Sequence, residues 1–197
     1  DLSEDPRFAS TFPFGFAPTL HPNRLLAPRH ERPPAAAATD ARHRNVFVCS
    51  MADLFGRWVP RAWIEVVLRE VRDAPDWMFL FLTKEPGRLV DFDFPDNVWL
   101  GTSVDWAWRI RAAENAFERL RERWPRRGEG PVFWLSCEPM LERLAFGRLD
   151  LFELVVLGGA SATRAVPEVD GRPGKPATPD WRPPPEWIDA LEEGKVL

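Results

Sequence analysis

At 197 residues, 45% of them hydrophobic and 12% aromatic, the chain has enough apolar material for one sizeable core, and one domain is the better reading. A formal charge of −4 supplies no global basic field for nucleic acid, and no apolar run is long enough to span a membrane. Two cysteines, Cys49 and Cys137, cannot staple a disulfide scaffold; both fall in apolar runs and read as reduced, buried thiols of a cytoplasmic protein.

Residues 1–44 carry prolines at 6, 13, 18, 22, 28, 33 and 34 and an alanine run at 35–38, which predicts an irregular segment packed on the surface of a barrel formed by 45–197. NVFVCSM, from Asn45, is a short apolar strand. PRAWIEVVLREVRD then places Ile64, Val67, Leu68 and Val71 on one helical face, with Pro60 near its start. WMFLFLTK gives a second strand ending at Lys84, and NVWLGTSV, 97–104, a third. In WAWRIRAAENAFERLRERW, Ile110, Ala113, Phe117, Leu120 and Trp124 recur at helical spacing. PVFWLSCEPM, 131–140, and LFELVVLGGAS, 151–161, are two more buried runs, and PPEWIDALEE forms a last short helix after a Pro-rich loop within 162–185.

Continuous Val/Leu/Phe runs, read as buried on both faces, predict a parallel sheet covered by helices. Each run ends in a small or polar cluster: Ser50–Asp53, Thr83–Lys84, Gly101–Ser103, Ser136–Glu138 and Gly158–Ser161. Parallel α/β folds gather their strand C-termini on one rim and build their sites there, so five such clusters predict a binding or catalytic site without naming its ligand.

Among the candidates, Asp53 and Glu138 can hold ribose hydroxyls, a cation or a substrate amine. Equally, Asp53 can cap the turn SMADLF and Glu138 can bond backbone amides before Pro139. Lys84 can hold a phosphate or carboxylate as a point charge, or be merely solvated. GTS at 101–103 and GGAS at 158–161 allow close approach of a ligand to backbone, and tight turns explain them as well. His21, His30 and His43 lack metal-ligand spacing, and no GxSxG elbow is present. The basic stretch RLRERWPRR, 119–127, is interleaved with Glu122 and follows Glu118, which suits a solvated helix face better than a nucleic-acid contact.

The ordered set FAPTLHPNRLLAP, NVFVCSMADLFGRWVP, FLFLTKEPGRL, FPDNVWLGTSV, WLSCEPML and LVVLGGAS, spanning about 14–161, resembles the phage- and prophage-associated radical-SAM-like proteins catalogued as a domain of unknown function. The resemblance implies a (βα)6-like partial TIM barrel, a [4Fe–4S] cluster held by C-x3-C-x2-C, and S-adenosylmethionine cleaved to a 5′-deoxyadenosyl radical acting on an unknown substrate. It further implies catalytic roles for Glu138 and Lys84. Ser50, Asp53, Thr83, Thr102, Ser103 and Ser136 would line the cofactor, with Gly158 and Gly159 giving room for adenine.

The cysteine motif is absent from these 197 residues. With Asp1 in place of Met, no Tyr beside 14 Phe and 10 Trp, Phe12 where such relatives commonly put Tyr, and Val196 and Leu197 reading as the start of a strand, the sequence is expected to be a window on a longer protein lacking the first and last strands. The alternative is a cluster-less barrel serving as a non-catalytic binding or partner module. A nucleic-acid-modifying enzyme is a third reading, which the acidic net charge does not support.

Overall fold

In the computed structural model the described residues are Phe14, 17–126, 128–162 and 180–193. Two single-turn helices, α1 (Pro22–Leu25) and α2 (Ala27–His30), and two 3-10 turns, Ala35–Ala38 and Ala41–Arg44, lead into β1 (Asn45–Phe47). Then come α3 (Arg61–Arg72), β2 (Met78–Thr83), a 3-10 turn at Pro86–Asp91 and β3 (Val98–Ser103). They are followed by α4 (Ile110–Arg121), β4 (Val132–Cys137), a 3-10 turn at Leu149–Leu151, β5 (Leu154–Leu157) and α5 (Pro185–Glu193). All five strands are parallel and lie side by side in chain order.

Parallel strands in chain order, joined by crossovers of one hand, wind in one direction and curl into part of a barrel. The curl is visible in one contact. Phe47 of β1 and Trp134 of β4 meet edge-on with ring centroids 6.5 Å apart, although two strands intervene. Three strand spacings on a flat sheet would set those backbones roughly 14 Å apart. The fold is therefore the expected α/β partial barrel, five strands curled into a half-barrel with helices between them.

The helices cover the convex face for the reason their sequences suggest. Ile64, Leu68 and Val71 of α3 and Ile110, Ala113, Ala116, Phe117 and Leu120 of α4 form the buried stripes. Phe117 packs against Phe133 of β4 at 5.1 Å and against Phe152 at 4.8 Å. The Asn97 amide donates to the carbonyls of Val71, Ala74 and Trp77, each at 3.1 Å, tying the end of α3 to the entry of β3.

Two expectations need correction. β3 and β4 are buried on both faces apart from the partly exposed Trp99 and Val132, but β1, β2 and β5 are not. Along β2, Phe79, Phe81 and Thr83 are buried while Met78, Leu80 and Leu82 are only partly so, and Phe47 and Leu154 on the edge strands are 44% and 40% exposed. Apolar composition on the second face reflects the inside of a half-barrel, which the described residues leave partly open. Nor is the described part of 1–44 irregular: its prolines punctuate single helical turns. Trp77 Nε1 donates to the Pro28 carbonyl at 3.0 Å, and Arg29 pairs with Glu70 at 2.7 Å and with Asp73, docking α2 on α3. Phe12, Val196, Leu197 and 163–179 of the Pro-rich loop lie outside the described residues.

Candidate functional site

Directly paired residues of parallel neighbours face the same side of a sheet, and the side alternates along each strand. This parity divides the strand-end residues into two sets. Thr83 pairs with Thr102, on the helix-covered side, together with the turn carboxylate Asp53 that bonds them. Ser103 pairs with Ser136, on the concave side, and Lys84, Glu138 and Gly158 continue the same parity beyond their strands.

The first set is internally satisfied. Asp53 Oδ1 accepts from the Phe55 amide, while Oδ2 accepts from the Thr83 hydroxyl and the Lys84 amide, all at 2.9 Å. Thr83 Oγ1 accepts from the Glu85 amide at 2.9 Å, and the Thr102 hydroxyl donates to the Thr83 carbonyl at 2.9 Å. These three side chains brace the turn after β1 against the ends of β2 and β3. Their polar groups are spent on backbone, so they hold the rim in place from behind.

The second set has capacity to spare. The Ser136 hydroxyl donates to Glu138 Oε2 at 3.3 Å, and Glu138 is otherwise exposed. Its side chain lies across Gly158, where a Cβ would fall 2.6 Å from Oε1 and displace the carboxylate. The Gly158 backbone is anchored on both sides, its N–H donating to Cys137 and its carbonyl accepting from Met140 at 2.8 Å. Lys84 Nζ donates to Asp105 Oδ2 at 2.7 Å, and Arg109 Nε lies 2.8 Å from Asp105 Oδ1 as an ion pair without hydrogen-bond alignment. Burial alone would raise the Asp105 pKa. The hydrogen bond from Lys84, a backbone bond and the charges of Lys84 and Arg109 outweigh it and hold the carboxyl below its ordinary value. Two cations thus share one carboxylate, and with the exposed Glu138 the charges at the lip balance.

Beneath this layer lies Trp134, 6% exposed, whose indole occupies the space that a Cβ on Gly101 would take. Only glycine on β3 lets the ring lie across the barrel toward Phe47, where it forms the floor of the site. Its Nε1–H is buried without a hydrogen-bond partner, an uncommon state for an indole.

The remaining expected residues fall elsewhere. Ser50 is exposed in the turn after β1. Gly159 faces the Trp181 backbone, to which it is pressed by the antiparallel bridge between Ala160 and Trp181, so its missing side chain serves chain packing. Beside it, an open cleft of ≈ 350 Å³ is lined by Leu157, Gly158, Trp181, Arg182 and Ile188 among others. Cys49 is exposed, not buried as expected, and has φ 57°; Cys137 is buried, and burial, with the charges of Glu138 and Asp105, pushes its thiol up to about 12. Among the described residues no group of three or more His, Cys, Asp or Glu is arranged to hold a metal, so they do not fit a [4Fe–4S] cluster.

Asp105, Arg109 and Trp134 are the site residues that sequence reasoning missed. Asp105 follows GTSV two residues past its strand, a weak signal of the kind Asp53 carried. Trp134, inside an apolar run, is indistinguishable from a core aromatic until Gly101 is seen beneath it.

The lip can therefore hold a ligand of mixed charge: a hydroxyl or ammonium on Glu138, a carboxylate or phosphate on Lys84. No helix among the described residues is long and apolar enough to cross a membrane. No curated protein and no solved structure matches the chain. The model of the family described as Protein of unknown function (DUF5131) matches residues 6–181, and the chain belongs to that family.

Proposed function

We propose that this chain is the barrel of a radical-SAM-type enzyme and that its rim binds S-adenosylmethionine. One observation carries the reading: Lys84, Ser103, Ser136 and Glu138 share the concave side of three adjacent strand ends, over a floor of Trp134. S-adenosylmethionine presents a carboxylate, an ammonium and two ribose hydroxyls, which suit one lysine and one exposed carboxylate on a shared lip. The orphaned indole N–H and the exposed Glu138 carboxylate laid across Gly158 are the features expected of a site shaped for a polar ligand. With a cluster, the cofactor would supply a 5′-deoxyadenosyl radical. The described residues offer no thiolate trio, so the reading assigns them binding and positioning alone. Association with phage genomes belongs to the same proposal.

Titration calorimetry with S-adenosylmethionine tests it. Binding by the wild-type chain, weakened at least about tenfold by Glu138→Gln or Lys84→Met, is expected, since each change removes a charged contact. Absence of binding by the wild type overturns the reading. The separation of Cys49 and Cys137 favours a second reading, a cluster-less binding module. Iron analysis of the intact protein, purified without oxygen, separates the two: roughly four irons per molecule for the enzyme, none for the module.

A further inference from the structure

Lys84 and Arg109 meet the same carboxylate, but they are not held alike. Arg109 is gripped on three sides. Its guanidinium lies over the Trp108 ring, 4.2 Å from the centroid, its Nη1 donates to the Lys84 carbonyl at 3.4 Å, and its Nε lies 2.8 Å from Asp105 Oδ1. The Arg109 side chain is 23% exposed, that of Lys84 50%. The Lys84 backbone is fixed from behind, where its amide donates to Asp53. Its ammonium makes one bond, to Asp105 Oδ2 at 2.7 Å, and keeps its other N–H donors for a ligand. Of the two cations, Lys84 is the one a ligand can reach, and Arg109 is the one that stays on the carboxylate.

The negative charges near Lys84 make this difference matter. Asp105 is buried, Glu138 meets the neutral Ser136 hydroxyl, and Glu142 meets the neutral Ala107 amide, so all three keep their charge. Without Arg109, the Lys84 ammonium would be committed to Asp105. We propose that Arg109 is a positioning residue for Lys84: by holding Asp105 itself, it leaves the Lys84 charge available to an anionic group of the ligand. The inference rests on the reading above for what Lys84 contacts, and adds a residue that acts through Lys84. When an anion draws Lys84 outward, Arg109 keeps Asp105 from becoming an unpaired buried charge, which would oppose the movement. Arg109 Nε and Asp105 Oδ1 are close but unaligned, and each lacks a hydrogen-bond partner. That geometry fits a carboxylate oriented by Lys84 that can turn onto Arg109 as Lys84 leaves.

Lysine acylation of the chain tests this arrangement without any ligand. Acetic anhydride attacks a neutral amine, so an ammonium tied more firmly to a carboxylate reacts more slowly. Lys175 and Lys195, the other lysines of the chain, serve as internal references in peptide mass spectrometry. Arg109→Gln should slow acylation of Lys84 by about two- to fivefold, the range of a half-exposed ion pair. Arg109→Lys, which keeps the charge, should react at a rate near that of the wild type. A purely structural role predicts the opposite sign, because a loosened loop exposes Lys84 and speeds its reaction. An unchanged or faster rate in Arg109→Gln overturns the inference, as does a slowed rate in Arg109→Lys. Calorimetry with S-adenosylmethionine adds a second arm. Arg109→Gln should weaken binding by about two- to fivefold and change nothing further in a Lys84→Met background. An equal loss in both backgrounds overturns the inference. Failure of the wild type to bind S-adenosylmethionine removes the cofactor reading alone, and the acylation rates then decide the role of Arg109 by themselves.

Discussion

Neighbouring residues of β2 live on two different surfaces. Phe79, Phe81 and Thr83 lie beneath the helices with at most 2% of their surface exposed, while Met78, Leu80 and Leu82 line the partly open inside of the half-barrel. At the strand ends the contrast sharpens. On the covered side Asp53, Thr83 and Thr102 have every contact spent on one another and on backbone. On the concave side Glu138 is exposed, Lys84 shares a carboxylate with Arg109, and Trp134 keeps an unpaired N–H. One face of a parallel sheet stores stability, and the other keeps polar capacity in reserve.

The largest expected effect is on the covered side. Phe117→Ala removes a fully buried ring that touches Phe133 and Phe152, and should cost about 3–5 kcal/mol in urea unfolding. A loss under about 1 kcal/mol would mean that this face is not the main store of stability. Next comes a paired comparison of carboxylates. Asp53→Ala strands the Thr83 hydroxyl and the Phe55 and Lys84 amides and should cost about 2–3 kcal/mol. Glu138→Gln, by contrast, should change stability by no more than about 0.5 kcal/mol, whatever it does to ligand binding. The reverse order would dissolve the division between brace and lip.

The smallest effect is the pH response of Asp105. Its folded pKa is below the ordinary 3.8, so its contribution to stability is complete above that value and is lost as pH falls through the lower folded value. Melting temperatures of wild type and Asp105→Asn should therefore differ most at neutral pH and converge in acid. A gap that widened on acidification would mean that the ion pair with Lys84 and Arg109 does not hold the carboxyl down.

Much of this was legible beforehand because the relevant signals are local. Apolar runs set five strands, the spacing of Ile64, Leu68 and Val71 set α3, and the polar residue at each strand end marked the rim. Parity was readable in principle, since Thr83 and Lys84 must face opposite sides. Which side the helices would cover was not readable, because both sides of these strands are apolar. For that reason sequence alone does not separate Asp53, Thr83 and Thr102 from Ser103, Ser136 and Glu138, although hydrogen bonds turn the first three into a brace. Gly159 misled for a related reason: a missing side chain signals close approach, but not whether ligand or chain makes the approach.

The sequence by itself determined the element order, the parallel sheet and the rim, each through periodicity, composition and strand-end chemistry within a few residues. Only the tertiary structure decided the rest. It set the curl that brings Trp134 over Gly101 toward Phe47 and the sharing of Asp105 by Lys84 and Arg109. Those features depend on strand register and curvature, which join residues tens of positions apart, and no local pattern encodes such distances.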